Sequence, residues 1–503
     1  ETATKNNLKV GHSKQLKMTK KLLSLFTLFL NFYGFCQINS DVDPDFNFST
    51  IQNNGEIRNL VIQPDNKILV GGFISHYPSN KSDFFRLNTD GSIDNNFNLP
   101  SYVDLYNTYS IVLQSDNKII VSAEHLYGQI INNISTDKKI SRFNSNGTID
   151  NTFSVGKGFD KTPLVIKIQQ DGKILVGGEF NNYNGTIKNK IIRLNSNGLI
   201  DDSFDIGTGF DGNVKCIEIQ QDGKILVGGE FNNYKGTNKK GLIRLNSDGT
   251  IDNYFYIGIG PNNNVNCITI QNDGKILVGG KFSQFNNTSA SLIARLTSSG
   301  NIDTTFNIGS GFSYSSNYFW GALQVNSILQ SGSNLFVAGN FEKFNNKPKE
   351  DFVSLNLNGS EDSSFNIGLG FTGTTTEIAN RVPIEIKALT IQNGKLLTSG
   401  NFKYYNSIPK GYIVRLFGNS LSINELSSIK ATIYPNPVVD RINISKAINT
   451  DNVKFEIYNL LGQNLLNGNV DNTSINVTSL PKGVYILKIK NGEDTINHKF
   501  IKE

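Results

Sequence analysis

Few residues of this 503-residue chain are placed for chemistry. It has four histidines. His12 and His498 lie near the ends, and only His76 and His125 fall in the central region, both at loop-like positions. Two isolated imidazoles supply neither a metal cluster nor a nucleophile–base pair. Asn246-Ser247-Asp248-Gly249-Thr250-Ile251-Asp252 has the composition of a calcium loop. An EF-hand-type loop needs oxygen ligands at its first and twelfth positions, which here are Arg244 and Phe255. Asp248 is replaced by Asn146 and Asn197 in sister segments, so a hairpin turn accounts for the motif better. Residues 207–212 and 368–373 both match G-x-G-x-x-G. A dinucleotide site needs a helix after the glycines, and strands are expected there instead. No catalytic residue, metal site or cofactor is assigned. A carboxylate pair drawn from distant segments stays open.

The elements that would position any site come from a repeat. An aromatic residue recurs at Phe46, Phe97, Phe153, Phe204, Phe255, Phe306 and Phe365. A Gly-Gly pair recurs at Gly71, Gly177, Gly228 and Gly279, and is degraded to Ser122-Ala123, Ala338-Gly339 and Ser399-Gly400. Each unit predicts four short strands, as at 214–220, 224–231, 242–246 and 250–257, with Asp-Gly turns between apolar runs. The unbroken run Ile225-Leu226-Val227 predicts a strand buried on both faces. Seven units of four antiparallel strands, each about 51 residues long, predict an all-β, seven-bladed β-propeller. Val42 to Phe46 matches only a last strand, and the seventh unit lacks one. The N-terminal segment is therefore expected to close the last blade and remove two sheet edges. Asp94, Asp150, Asp201, Asp252, Asp303 and Asp362 share one slot, which reads as a blade-building group.

Differences between units carry the binding candidates. One insertion follows Phe312 and holds Tyr314, Tyr318 and the only tryptophan, Trp320. A second spans 372–383 and holds Glu377 and Arg381, and a third is the aromatic stretch 102–109. Tyr314, Tyr318, Trp320 and Arg381 are the candidate ligand-binding residues. These insertions share a face with the second-to-third connections, which carry Tyr183, Tyr234, Phe285, Phe344, Tyr404 and lysines such as Lys188, Lys235 and Lys347. Such a face suits sugars or an acidic polymer; the same recurring residues also serve as packing caps and solvated charges.

The patterns DGKILVGGxF and RLNxDGxID(x)2F resemble the Delta-60 repeat family of predicted propellers over residues 42–417. The resemblance implies a fold and no activity. The Gly-Gly pair also resembles kelch blades, but their downstream Trp is absent. After a polar linker at 418–431, residues 432–503 read Tyr434-Pro435-Asn436-Pro437, then YNLLGQ, then LPKGVYILKI, then a basic end. Alternating apolar residues and Gly turns predict a small β-sandwich. This block resembles the C-terminal sorting domain (type A) of type IX secretion substrates in the Bacteroidota. That implies export across the outer membrane, recognition by the secretion machinery, and release or surface attachment.

Met18, a basic stretch and an apolar run to Phe35 read as a signal peptide over 18–36, with 1–17 upstream of a natural start. The propeller is assigned to 37–417. Residues 1–36 hold six lysines and one glutamate, so the remainder is balanced at 42 basic and 42 acidic residues. That balance gives no support for a nucleic-acid partner, and no other apolar run is long enough to span a membrane. Cys216 and Cys267 occupy equivalent positions in adjacent units and are expected as free thiols, because such side chains do not face each other. The expected function is a secreted or cell-surface noncatalytic propeller that binds a glycan or protein. The alternatives are a polysaccharide-degrading enzyme and a structural adhesion component.

Overall fold

The computed structural model describes residues 41–48, 55–74, 83–101, 103–127, 137–314, 322–373, 384–417, 433–444, 453–459, 463–470, 473–491 and 494–503. Among them the chain is strands and turns, with no helix. Two compact units divide after Leu421.

The first unit is built from propeller-like repeats. In a representative sheet Val214–Ile219 pairs with Ile225–Gly229, which pairs with Leu242–Leu245, all antiparallel. The same order recurs in sheets that begin at Gly55–Ile62, Asp104–Leu113, Pro163–Ile168, Val265–Ile270, Gln324–Ser331 and Ile386–Gln392. Each of these first strands packs against the first strands of the sheets before and after it, and Ile386–Gln392 packs against Gly55–Ile62. The middle strand explains the unbroken apolar run. Ile225 and Val227 enter the core shared with the preceding sheet, while Leu226 enters the core shared with the next. Both faces are thus dry, and alternation has no reason to appear.

The Gly-Gly pair has two distinct causes. A Cβ on Gly228 would stand 2.5 Å from Cys216 Sγ and 2.6 Å from Val265 Cγ1 of the next sheet. A Cβ on Gly229 would stand 2.1 Å from the Asn213 carbonyl, where a bulge between Val214 and Cys216 brings backbone close.

The expected fourth strand is not formed. It shrinks to one bridge, Leu245↔Ile251. The chain then turns, because Asp252 Oδ1 accepts the Tyr254 N–H at 3.0 Å and the Asp252 carbonyl accepts the Phe255 N–H at 3.2 Å. This tucks Phe255 under Arg244, whose guanidinium carbon lies 4.4 Å from the ring centroid. Small hairpins such as Asn233–Tyr234 with Thr237–Asn238 fill the second-to-third connections.

Arg244 organises this end of the sheet. Its Nε donates to Asp252 Oδ2 at 2.7 Å, and Lys224 Nζ meets the same oxygen at 2.8 Å. Its Nη1 reaches across to the Ser298 carbonyl of the next sheet at 2.5 Å. Arg86, Arg142, Arg193 and Arg295 repeat the arrangement with Asp94, Asp150, Asp201 and Asp303. The N-terminal segment enters the same scheme. Val42 bridges Leu416, the Asp43 N–H donates to the Arg415 carbonyl at 2.9 Å, and Arg415 stacks on Phe46 while binding Asp43 Oδ2 at 2.6 Å. The last sheet is thereby completed by the start of the chain, the pairing expected from the repeat register.

The second unit contains a three-stranded sheet (Ile433–Tyr434, Arg441–Ile444, Ser474–Asn476) and a four-stranded sheet (Asn464–Asn469, Lys454–Tyr458, Gly483–Asn491, Asp494–Lys502). They share one core that includes Ile442, Ile457, Leu487 and Phe500.

Two outcomes follow from the buried arginine pairs. Asp43 is fully buried, and Arg415→Leu leaves its carboxylate with Lys395 alone as a cation, 2.8 Å away. Urea denaturation should show a loss of about 1–3 kcal/mol, the cost of a charged hydrogen bond removed from a buried group. Acid should act on the same groups. Burial alone would raise the Asp303 carboxyl, but bonds from Thr305 and the charges of Arg295 and Lys275 bring it down to about 2. A carboxyl lowered in the fold contributes stability above its unfolded value and loses it as pH falls through the folded value. Asp43, Asp94 and Asp252 are lowered too. The urea midpoint should therefore drop between about pH 4 and pH 2.

Candidate functional site

The two ends of the first unit differ. The tight first-to-second turns and the arginine pairs occupy one end, here the turn end. The starts of the first strands and the short strands Phe312–Ser313 and Phe371–Thr372, from which two of the insertions lead, occupy the other, the insertion end. At the insertion end, three slots bring side chains from neighbouring sheets together: the residue before the first strand, the bulged residue within it, and the residue after the glycine pair.

One cluster spans the seam between the last and first sheets. Lys387 Nζ lies 3.0 Å from Glu56 Oε1 and also bonds Glu385. Arg58 lies 2.8 Å from Glu56 Oε2 and stacks 4.8 Å over the Tyr109 ring. Gln324 and Asn326 donate to Glu385 Oε2 at 3.0 and 3.3 Å. Asn107 accepts from Arg58 and donates to Glu124 Oε2 at 2.6 Å. A second cluster joins the fourth and fifth sheets. Glu230 is held by Lys215 at 2.6 Å, Asn264 at 2.9 Å and Asn213 at 3.2 Å. Asn266 Nδ2 then donates to Gln324 Oε1 at 3.2 Å. The result is a rim of fixed donors and acceptors. Two of its buried atoms, Asn266 Oδ1 and Asn340 Nδ2, have no hydrogen-bond partner among the described residues.

The rim carboxylates are held as anions. Burial pushes Glu56 up, but Lys387 and Arg58 outweigh it and its carboxyl lies below the usual range. Glu230 is lowered in the same way by Lys215 and Asn213. Such groups accept hydrogen bonds and do not release protons near neutrality. Two carboxyls are raised instead. Asp83 goes up to about 6, chiefly by burial, although the Asn107 and Ile74 N–H groups oppose it. Asp351 is raised by burial beyond the pull of the Phe341 N–H. Both are buried among backbone rather than displayed.

Tyr314 lies at this rim, and its hydroxyl donates to Asn340 Oδ1 at 2.5 Å. Tyr318, Trp320 and Arg381 lie outside the described residues, as does His76. The recurring aromatics are packing groups. Tyr183, Tyr234, Phe285 and Phe344 are at most 1% exposed, and the Tyr183 and Tyr234 hydroxyls donate to the carbonyls of Gly198 and Gly249. The member in the last sheet is Tyr405, not Tyr404: Phe371 pairs with Tyr405, which is fully buried. The connection lysines are partly neutralised, Lys235 by Asp205 and Lys347 and Lys349 by Glu361. His125 is not in a loop. It lies on the strand Ile119–Tyr127, and its Nδ1 is 2.9 Å from Asp137 Oδ2. The alternation Val103, Leu105 ahead of the usual strand start was the available signal.

Asp248 Oδ1 accepts both the N–H and the hydroxyl of Thr250, and the strand Val214–Ile219 follows the glycines of 207–212. Cys216 and Cys267 are free thiols. They line a cavity of about 920 Å³ bounded by inner strands and by turn residues such as Asp222 and Asn272. Burial pushes the Cys267 thiol up to about 12.

Comparison with known proteins assigns both units. Residues 63–97, 114–153, 169–204, 220–255 and 271–306 match the family described as "Domain of unknown function (DUF5122) beta-propeller". Residues 432–503 match the "Secretion system C-terminal sorting domain". The chain carries DUF5122 β-propeller repeats and a secretion-system sorting domain. The sorting domain directs it through type IX secretion to the cell surface or the medium. Among the described residues no helix is long and apolar enough to cross a membrane. A stretch of 73 residues is 40% identical to β-agarase D of Zobellia galactanivorans, covering 14% of this chain and 15% of that protein. Among solved structures, PorZ of Porphyromonas gingivalis is 12% identical, with a TM-score of 0.42 over 91% of this chain and 60% of its own. The extracellular domain of BT4673 from B. thetaiotaomicron is 11% identical, with a TM-score of 0.41 over 92% and 58%. The chain thus spans about a seventh of the agarase and about three fifths of each of the two structures.

The raised Asp83 gives a prediction of its own. A carboxyl raised in the fold favours the folded state in full below its unfolded value and has lost that contribution once pH has risen through the folded value. Asp104 and Arg58 are the charged groups that bear on it. Stability should fall by about 1 kcal/mol from pH 5 to pH 7 on account of this group. In Asp83→Asn that part of the slope should vanish from pH-dependent urea melts.

Proposed function

We propose that the protein is an exported, noncatalytic, seven-bladed propeller that binds a glycan through its insertion end and carries a C-terminal β-sandwich for sorting. The domain reading is a leader to residue 36, a propeller over 37–417, a linker over 418–431 and the sorting domain over 432–503. Seven successive sheets with mutually packed first strands support the blade number. The observation that carries the binding proposal is the rim. Glu230, Lys215, Asn213, Asn264 and Gln324 offer donors and acceptors held by one another, which suits a polyhydroxylated ligand that needs both. Pre-positioned groups spare the ordering cost that weakens polar recognition. Tyr314 belongs to this proposed site, together with Tyr318, Trp320 and Arg381 from the insertions.

The test is calorimetric titration of the secreted mature chain with neutral and anionic hexaoses. Binding should appear, and Lys215→Ala combined with Asn264→Ala should weaken it about tenfold, the worth of one or two hydrogen bonds. Binding unchanged by the double substitution would sink this assignment of the site. A second reading, a polysaccharide-degrading enzyme, is favoured by the stretch shared with β-agarase D. New reducing ends from agarose, abolished by substitution of one rim carboxylate, would establish it instead.

A further inference from the structure

The second sheet departs from its sisters. Its inner hairpin is Asp104–Leu113 with Ile119–Tyr127, ten and nine residues long, against six and five in the fourth sheet. The register places Thr108 where Val214 begins the fourth sheet. The extra four residues therefore project past the usual strand start at the insertion end, by about 13 Å at the rise of an extended chain.

This projection displays an aromatic ring. Tyr106 is 45% exposed, whereas Leu105 beside it is buried. The ring is held from two sides. Phe73 of the first sheet meets it edge-on at 5.6 Å between centroids and 82° between planes. His125, directly opposite on the paired strand, lies at 6.1 Å. His125 is itself fixed by Asp137, which Lys139 Nζ also approaches at 2.7 Å. The shelf continues into the rim, because the next residue, Asn107, donates to Glu124 Oε2.

We infer that the Tyr106 face is a stacking subsite for one ring of a neutral oligosaccharide. This rests on the binding reading above. The electron-rich face of a held aromatic ring attracts the C–H-bearing face of a pyranose, and a ring fixed beforehand loses little entropy on binding. The polar neighbours Asp104 and His125 on the same strand face answer the hydroxyls at the edge of such a sugar. Charge selects among saccharides. Among the described residues Asp104, Glu124 and Asp137 face two cations around the shelf, Lys139 and Arg58, and this acidic excess disfavours an anionic uronate or sulfated chain. Of the sugars and acidic polymers suited to a lysine-rimmed face, it favours the neutral sugars. A peptide ligand is the competing class, and the polar groups on both sides of the ring offer it no apolar anchor.

The experiment uses the full mature chain and three probes: hexaoses of β-1,3-glucan and of neutral agarose, an alginate hexamer, and a tyrosine-rich peptide library. Tyr106→Ala should weaken binding of a neutral hexaose about tenfold, and Tyr106→Phe should stay within about threefold of the parent, because stacking needs the ring and not the hydroxyl. Unchanged near-ultraviolet dichroism of both variants excludes a folding cause. If a hexaose binds, the rim double variant weakens it and Tyr106→Ala does not, the subsite is wrong while the rim reading stands. If alginate or a peptide binds through Tyr106 more tightly than the neutral hexaoses, the ligand class is wrong. If no saccharide binds at all, both readings fall together.

Discussion

A guanidinium taken out of water must recover its hydration from fixed partners, and the first unit is arranged around that demand. Each arginine of this type spends Nε on the aspartate of its own sheet, Nη1 on a carbonyl of the next sheet, and its face on a phenylalanine. Charge-assisted bonds and cation–π contact are stronger where water is excluded. One side chain thus ties three segments within a sheet and the neighbouring sheet as well. The phenylalanine in turn sets the turn it touches: a Cβ on Gly249 would stand 3.1 Å from the Phe204 ring and 2.6 Å from the Asp205 carbonyl, and the residue adopts φ +88°. Arginine, aspartate, phenylalanine and turn glycine are therefore one co-dependent unit, which is why they recur together.

The sixth sheet shows what happens without the arginine. Ser354 takes its slot and, with Asn334, donates to Asp362. Among the described residues nothing reaches the seventh sheet from this position in the way Arg295 reaches Leu357. The junction is held elsewhere. Phe336 and Phe352 pack on Phe365, Phe352 packs on Phe371, and at the opposite end Gln324 and Asn326 donate to Glu385. Apolar packing and neutral amides take over the junction, while the aspartate is kept and its carboxylate is held by neutral donors instead of a guanidinium.

The repeat was legible because each copy needs the same residues for the same reason. The failures have equally local causes. The fourth strand was expected from alternation at 250–257, but an aspartate side chain captures the backbone at Tyr254 and turns it. Tyr404 and Tyr405 are adjacent, and a shift of one residue exchanges buried and exposed faces; only pairing with Phe371 selects Tyr405. His125 read as loop because the second strand of its sister repeats ends at the glycine pair, whose slot here is Ser122-Ala123. The rim could not be read at all. Asn264 and Glu230 meet from different repeats, and no spacing within one repeat announces a contact made between two.

This division leaves the two ends under different constraints. At the turn end every copy must present the same groups to its neighbour, so a change there costs a junction. At the insertion end the corresponding slots hold Glu56, Asn107, Thr162, Asn213, Asn264, Gln324 and Glu385 in successive sheets, and no common side-chain partner constrains them. A surface free of the closure constraint is where side chains can be spent on a ligand, and the long second hairpin rises from that same end.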